Sequence, residues 1–271
     1  YRIHDIIYLN VLDPFASPGF NPLEVPVDSD NESRQNAIGE VTTMLAKHFN
    51  IESGNVKIRR MLNAAVSALS WVPGATLLEV MDFYNNEDIR NTILSFVPDG
   101  PQKDVMVSAA ENMKVDDLGP LQNRFDQFTT NSAMKHLFGQ AHETFNFFDL
   151  MNKGYYIICP ASKGGTSDSF FLKFYGSYIV SQVYKSALMR ESIKEDNRVN
   201  FSLTLDEFQN FLGDDIEGIL SEARKYGLQM TLANQYLSQL TKGAGDIKAA
   251  VLQNCATKLV YKLASDDAQA I

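Results

Sequence analysis

Four apolar runs, each separated from the next by a helical segment, constrain the fold of residues 155–263. The runs are YYIICPA (155–161), FSLTLD (201–206), LQMTLA (228–233) and TKLVYKL (257–263). A continuous apolar run of this length is typical of a strand that is buried on both faces of a parallel sheet. Because parallel strands need crossover connections, and helical patterns fill the intervals, the sequence predicts an α/β fold with a parallel sheet.

The chain between about residues 33 and 138 has a different pattern, which is helical throughout. Apolar residues follow helical spacing, Thr76 and Glu79 match a capping box, and the breaks VPGA and PDGP separate further helices. Residues 3–9 (IHDIIYL) predict one more short strand. The sequence therefore predicts an α/β domain made of residues 1–32 and 139–271, interrupted by an all-helical insertion at 33–138.

Composition excludes several classes of function. The net charge of −9 and the pI of about 5.0 argue against a surface that coats nucleic acid by charge alone, although a local basic site is compatible with them. Cys159 and Cys255 are isolated, so they predict neither a disulfide framework nor a metal site, and they favour a reducing compartment. The most apolar stretch, 169–189, contains Lys173 and Lys185, which predict a buried helix rather than a membrane span.

Polar residues with useful chemistry follow two of the predicted strands. Asp206 and Glu207 end the second run, and Gln235 follows the third. In parallel sheets ligands bind at the carboxyl ends of the strands. Asp206 suits Mg²⁺, which prefers hard oxygen ligands, and Glu207 could polarise an attacking water. The amide of Gln235 could hold a phosphate or that water, although all three residues could also be ordinary polar residues at strand–loop junctions.

Two further features lie near these strand ends. Arg224, in EARKYGL, could bind phosphate through its guanidinium, and an arginine donated by a neighbour can raise a rate ~10³–10⁵-fold. It could equally belong to the exposed face of an amphipathic helix. The segment ASKGGTS (161–167) mimics a phosphate loop, but Lys163 precedes the glycines, whereas in G-x-x-x-x-G-K-[ST] the lysine follows them. We interpret it as a strand–helix turn near the site.

Several blocks occur in an order that resembles a known family. They are NPLE, FFDLMNKGYYIICPASKG, LTLDEFQNF, ILSEARKYGLQMTLANQYLSQL and NCATKLVYKLASDDA. Over nearly the whole chain they resemble the FtsK–HerA superfamily of DNA-pumping ATPases, in particular its conjugative coupling-protein branch in type IV secretion. The helical insertion is similar to the all-alpha domain of that family. The resemblance implies an α/β fold of the RecA-like P-loop NTPase type.

The resemblance also implies a role for each candidate residue. Asp206 matches the Walker B carboxylate for Mg²⁺, Glu207 the catalytic glutamate, and Gln235 the sensor after the next strand. Arg224 matches the arginine that reaches into the ATP site of the adjacent subunit. The implied assembly is a homo-oligomer, a hexameric ring that hydrolyses ATP and pumps DNA, with relaxase and secretion-channel proteins as partners. The implied location is the bacterial cytoplasm at the inner face of the cell membrane, reached through an N-terminal anchor.

The chain departs from the family in two places. The Walker A loop lies upstream of NPLE in this family, so we expect Tyr1 to begin past it within a longer protein, and we expect this segment alone to be inactive. Lys262 stands where an arginine is expected, and lysine cannot form the same bidentate fork. Three functions stay open: a conjugative DNA translocase, a HerA-type or protein-pumping motor, and a non-catalytic segment that docks partner proteins.

Overall fold

The computed structural model of the protein describes residues 3–11, 17–25, 29–51, 55–113, 115–160, 169–211, 216–241 and 247–261. Internal contacts divide the chain into an α/β unit, Tyr1–Tyr8 with Asn146–Ile271, and a helical unit, Leu9–Phe145. These boundaries differ from those expected at 32 and 138. The reason is visible at Asn21, whose Nδ2 donates to the carbonyl oxygens of Ala75 (3.0 Å) and Ala141 (2.8 Å) inside the helical unit.

Local capping sets the ends of several helices in the helical unit. Its helices are α1 Asn31–His48, α2 Val56–Leu69, α3 Asp82–Asn85, α4 Glu87–Phe96, α5 Pro101–Glu111, α6 Val115–Thr130 and α7 Ser132–Phe138. The Asp30 side chain accepts the Ser33 N–H at 2.8 Å and so begins α1. The predicted capping box is confirmed, because Glu79 Oε2 accepts the Thr76 N–H at 2.7 Å.

Phenylalanine rings form much of the core of the helical unit. Phe49 lies 5.1 Å from Phe125 and 6.0 Å from Phe128, measured between ring centroids, and both pairs are edge-to-face. Phe128 also meets Phe138 at 6.2 Å, and Phe138 meets Phe20 at 6.3 Å. Each of these rings is at most 4% exposed. The chain of rings packs α1, α6 and α7 onto the segment that precedes α1.

The α/β unit contains two separate parallel sheets within the described residues. Its elements are β1 Ile6–Tyr8, α8 Phe147–Lys153, β2 Tyr156–Ile158, α9 Ser169–Met189, β3 Phe201–Asp206, α10 Ile216–Glu222, β4 Leu228–Ala233 and α11 Ile247–Asn254. Strand β1 pairs with β2, and β3 pairs with β4, both in parallel. The parallel pairing agrees with the sequence pattern, whereas the single larger RecA-like sheet stays a prediction.

Two predictions about the strands are wrong. The run at 155–161 was expected to be buried on both faces, but Tyr156 is 57% and Ile158 48% exposed. They face outward with Ile6 and Tyr8 across the β1–β2 pair, and no described element covers these four side chains, which we call the apolar sheet face. The described part of the predicted fourth strand, residues 257–261, is not a strand, because no described strand pairs with it.

Helix α9 is the central helix of the α/β unit. Phe171, Phe174, Tyr175 and Tyr178 on α9 are at most 1% exposed, which confirms the prediction of a buried helix at 169–189. None of the helices in the described part of the chain is long and apolar enough to cross a membrane. Residues 190–200 connect α9 to β3, the strand that carries the candidate carboxylates.

Candidate functional site

The candidate carboxylates lie at the carboxyl edge of the β3–β4 sheet. Asp206 pairs in register with Ala233, so the two strands end side by side. Glu207 leaves β3 in the left-handed backbone conformation (φ 51°, ψ 42°), and its N–H donates to Asp206 Oδ1 at 3.0 Å. Phe208 follows and is fully buried (0% exposed). The buried ring anchors the turn, which leaves Asp206 exposed at the sheet edge.

Two amide side chains hold the Glu207 carboxylate. Gln235 Nε2 donates to Glu207 Oε1 at 2.5 Å, although the two residues are 28 positions apart. Gln209 Nε2 donates to Glu207 Oε2 at 2.6 Å. The Asn210 amide adds a bond of 3.1 Å to the Glu207 carbonyl oxygen. Both carboxylate oxygens and the backbone of Glu207 are therefore fixed in one geometry.

The loop after β4 is fixed by its own side chains. Gln239 Oε1 accepts the N–H groups of Gln235 (3.2 Å) and Tyr236 (3.1 Å). Asn234 Nδ2 donates to the Tyr236 carbonyl oxygen at 2.9 Å. These bonds satisfy the backbone of a tight turn, so the amide of Gln235 is directed toward Glu207 by a rigid support.

A cavity of about 960 Å³ adjoins this edge within the α/β unit. Asp206, Glu207 and Gln235 supply polar groups to its wall, together with Lys173 from α9. Apolar residues of α9 and the whole length of β3 form much of the remaining wall. The cavity thus combines an apolar wall with a few convergent polar groups, as small-molecule sites do.

A half-buried thiol forms another part of the cavity wall. Burial raises the pKa of Cys159 to about 11, against the opposing effect of a hydrogen bond with Tyr175. The pKa of the Tyr175 phenol is also raised, chiefly by burial. At neutral pH Cys159 is therefore a protonated thiol and a weak nucleophile. The other polar groups of the wall are carboxylates, amides, hydroxyls and the Lys173 ammonium.

The donor set fits magnesium better than a metal held by protein ligands alone. The described residues contain no group of three His, Cys, Asp or Glu side chains that could hold an ion. Asp206 is exposed at the cavity, and one of its oxygens accepts only the neighbouring Glu207 N–H. Mg²⁺ is commonly held by one or two carboxylates, substrate phosphates and water. Asp206 is the residue that could hold it here.

Arg224 does not join these residues. It lies in the 3-10 turn Ala223–Tyr226, just before β4 begins, and is therefore at the amino edge of the sheet. Six-residue strands separate the two edges by roughly 17 Å, which is more than an arginine side chain spans. Arg224 is exposed, and no described residue forms a hydrogen bond or ion pair with its side chain. Lys163 and Lys262 lie outside the described residues.

Two residues of this site do not follow from the sequence pattern. Gln209 reaches Glu207 only because the chain turns sharply after β3, and no periodic signal marks such a turn. Lys173 was considered only as a charge within an apolar helix, whereas its position on α9 places it at the cavity. Lys173 could have been indicated by identifying which side chains of α9 face β3.

The fold and the site define an α/β protein with a carboxylate–amide cluster at the ends of parallel strands. Residues 200–270 match the model of the family described as the TraM recognition site of TraD and TraG. The comparison with curated proteins gives no match. The family match covers β3, β4 and their connections, and so includes Asp206, Glu207, Arg224 and Gln235. It supports the conjugative coupling-protein branch of the resemblance.

Proposed function

We propose that the α/β unit belongs to an ATP-hydrolysing motor of a conjugative coupling protein, which pumps DNA through a type IV secretion system. The observation that carries the proposal is the bond between Gln235 and Glu207 beside Asp206. A carboxylate for a metal, a carboxylate for a water and an amide between strand ends are three of the parts of an ATP-hydrolysing site. The family match at 200–270 supports the conjugation context.

Each residue has a distinct task in this mechanism. Asp206 would hold Mg²⁺, in part through water, and the ion would neutralise charge on the phosphate oxygens. Glu207 would orient the attacking water and accept its proton, for which one of its oxygens must leave its amide partner. When nucleotide binds, the Gln235 amide would leave Glu207 and donate to a phosphate oxygen instead. Nucleotide binding would thereby free the Glu207 carboxylate to act as the base.

Arg224 would act on a neighbouring subunit of a ring, which we propose to be hexameric. Its place at the opposite sheet edge supports this role, because it cannot reach the Asp206 site of its own chain. A guanidinium from a neighbour would stabilise the charge of the transferred phosphoryl group. DNA contacts would be confined to a few residues at the channel, since the chain carries a net charge of −9.

Mutation of the carboxylates in the intact protein tests the proposal. Asp206→Ala and Glu207→Gln should abolish DNA-stimulated ATP hydrolysis while the circular dichroism spectrum and oligomeric state stay unchanged. Glu191→Gln is the matched control, because Glu191 is an exposed carboxylate of the same unit and lies in the α9–β3 connection. Wild-type turnover in both site variants would rule the assignment out.

A second candidate function is recognition of a protein partner. It is favoured by the description of the matched family, from which we infer that residues 200–270 bind a TraM-like component of the DNA-processing complex. Within this range Leu259 is 82% exposed and could contribute to such a contact. Calorimetry with the TraM protein of the same conjugation system should show binding that Leu259→Ser weakens. Val105→Ser, at a 53% exposed residue of the helical unit, should bind normally. Equal binding by both variants would contradict a role for Leu259.

A further inference from the structure

The connection from α9 to β3 contains a completely buried arginine. Arg190 is 0% exposed, and its Nη1 donates to the carbonyl oxygens of Val199 (2.8 Å) and Tyr226 (3.3 Å). Its Nε and Nη2 are buried and donate to no described group. Among the described residues, no carboxylate lies within ion-pair distance of Arg190. Carbonyl oxygens alone therefore receive this buried cation.

A second arginine interlocks with the first. Arg198 Nε donates to the carbonyl oxygens of Arg190 (3.1 Å) and Ile193 (2.9 Å). Its Nη1 donates to the carbonyl oxygen of Lys225, and its guanidinium lies 5.8 Å from the centre of the Tyr226 ring. Arg198 thus fixes the turn that holds Arg190, and both arginines reach the same neighbouring segment.

That segment is the short turn which carries Arg224. The arginines bind the carbonyl oxygens of Lys225 and Tyr226, the last two residues of the turn Ala223–Tyr226. Gly227 then adopts a left-handed conformation (φ 74°), and its carbonyl oxygen accepts the N–H of Phe201 on β3 at 2.9 Å. The end of the turn is therefore held by two guanidinium groups and one strand.

This arrangement works against stability. Burial, and to a lesser degree the charge of Arg198, lowers the pKa of Arg190. A buried cation without a carboxylate is costly, and an apolar side chain of similar volume could fill the same space more cheaply. What the two arginines provide is a single fixed geometry of the 223–226 turn, because planar donors bound to carbonyl oxygens restrict the backbone that carries them.

We propose that Arg190 and Arg198 are positioning residues that hold the 223–226 turn so that Arg224 is presented to the nucleotide site of a neighbouring subunit. The inference rests on the proposed function, since it assigns the two arginines to the reaction of that same site. Neither arginine touches nucleotide. Both act through the backbone from which Arg224 extends, and the 21-residue α9 provides the rigid base from which they reach it.

Arg198→Lys in the intact protein tests the proposal. The variant keeps the charge of a half-buried residue but loses the planar fork. We expect kcat for ATP to fall about 10²-fold, the scale of a ~1 Å misplacement, with KM unchanged. Arg124→Lys is the matched control, because Arg124 also binds carbonyl oxygens, of Phe49 and Pro120, but in the helical unit. Arg124→Lys should hydrolyse ATP at the wild-type rate.

Mixed oligomers separate positioning from general damage. Glu207→Gln subunits have a disabled site of their own but an intact Arg224 to donate. Mixing them with Arg198→Lys subunits should restore a substantial part of the hydrolysis that both proteins lack alone. Arg224→Ala subunits should be rescued in the same way.

The outcomes distinguish this inference from the proposed function. Rescue of Arg224→Ala without rescue of Arg198→Lys overturns the positioning role and leaves the proposed function standing. Wild-type turnover by Arg224→Ala overturns the positioning role and the assignment of Arg224 to the neighbouring site, and it leaves the assignments of Asp206 and Glu207 standing. If Arg198→Lys does not assemble, Tyr226→Leu carries the same test, because it removes only the ring near Arg198 and keeps the carbonyl contacts. Failure of mixing to rescue a folded Tyr226→Leu variant with reduced kcat then overturns the positioning role.

Discussion

The two units differ in how they bury their apolar and polar side chains. In the helical unit, successive phenylalanine rings meet edge to face, and the buried Asn21 side chain makes three hydrogen bonds within its own unit. In the α/β unit, two small parallel sheets leave the apolar sheet face exposed, and the buried Arg190 keeps two nitrogen atoms without described partners. Both units keep buried polar atoms without described hydrogen-bond partners, among them Trp71 Nε1 in the helical unit, whereas the carboxylate–amide cluster beside a cavity lies in the α/β unit.

The comparison suggests that residues that stabilise the fold and residues that could act on a ligand lie in different units. Packed rings lower the free energy of the folded helical unit but offer little chemistry to a ligand. In the α/β unit the carboxylates, amides and arginines are costly to hold in place, as expected for groups that act on other molecules. Substitutions in the two units test that separation.

Removing the central ring of the helical unit should have the largest effect. Phe128 is 0% exposed, and its centroid lies 5.7 Å from that of Phe125 and 6.2 Å from that of Phe138. Phe128→Ala should lower the free energy of unfolding by about 3–5 kcal/mol, measured by chemical denaturation, because it leaves a cavity. Phe96→Ala, at a ring that is 47% exposed, should stay within about 0.5 kcal/mol of wild type. Equal losses would contradict the picture of one ring-based core.

The thiol in the cavity gives the next largest effect. In a Cys255→Ser background, alkylation of Cys159 near pH 8 should be about 100-fold slower than that of a thiol with an ordinary pKa. The rate should rise with pH until about 11, the raised pKa of Cys159. The reciprocal Cys159→Ser protein reports on Cys255 as the control. A rate that levels off near pH 9 would show that the cavity wall is open to water.

The raised pKa of Cys159 also predicts how the free energy of unfolding changes with pH. The folded thiol keeps its proton up to about pH 11, whereas the ordinary value is 9.0. The contribution of this thiol to the free energy of unfolding is therefore fully present below pH 9.0, and it is lost as the pH rises through about 11. Cys159→Ala should reduce the fall in stability between these two pH values.

Loss of the second amide should affect turnover but not stability. Gln209 Nε2 orients the Glu207 carboxylate through its bond to Oε2, so Gln209→Ala in the intact protein should lower kcat for ATP about tenfold with KM unchanged, because a misplaced general base is less effective. Gln229→Ala, at an exposed glutamine on β4, is the control. A change in the free energy of unfolding with normal kcat would instead make Gln209 a structural residue.

The smallest expected effect comes from a helix cap in the helical unit. Thr76→Ala removes the hydroxyl that accepts the Leu78 N–H at 3.2 Å. The free energy of unfolding should fall by about 1 kcal/mol, with ATP hydrolysis unchanged. Thr92→Ala is the comparison, because its exposed hydroxyl donates to the Asp88 carbonyl oxygen within α4 and caps no helix. A loss of hydrolysis in Thr76→Ala would break the separation between the units.

Strand positions and the contact between Glu207 and Gln235 follow from the sequence for a physical reason. Continuous apolar runs predict parallel strands, and parallel strands bring residues that follow them to one edge. The observed bond between these side chains agrees with that expectation. Whether the residues hydrolyse ATP is a separate matter that the proposed mutations address.

Other features depend on contacts that periodicity does not encode. Gln209 reaches Glu207 through a tight turn, and Arg190 reaches Tyr226 from a different crossover connection. The run at 257–263 has the residue types of a strand, but a strand needs a neighbour to bond with, and pairing is not a property of one segment. Apolar composition likewise predicts burial for Tyr156 without specifying what covers it.

The apolar sheet face has a consequence for handling the protein. Ile6, Tyr8, Tyr156 and Ile158 form a patch of exposed apolar side chains, and such patches promote self-association. Because apolar attraction weakens on cooling and is strengthened by sulfate or phosphate, this chain prepared alone should stay dispersed best when cold and in buffers without these salts. Light scattering should detect clusters at a lower ammonium sulfate concentration for the native chain than for the double variant Tyr8→Ser, Tyr156→Ser.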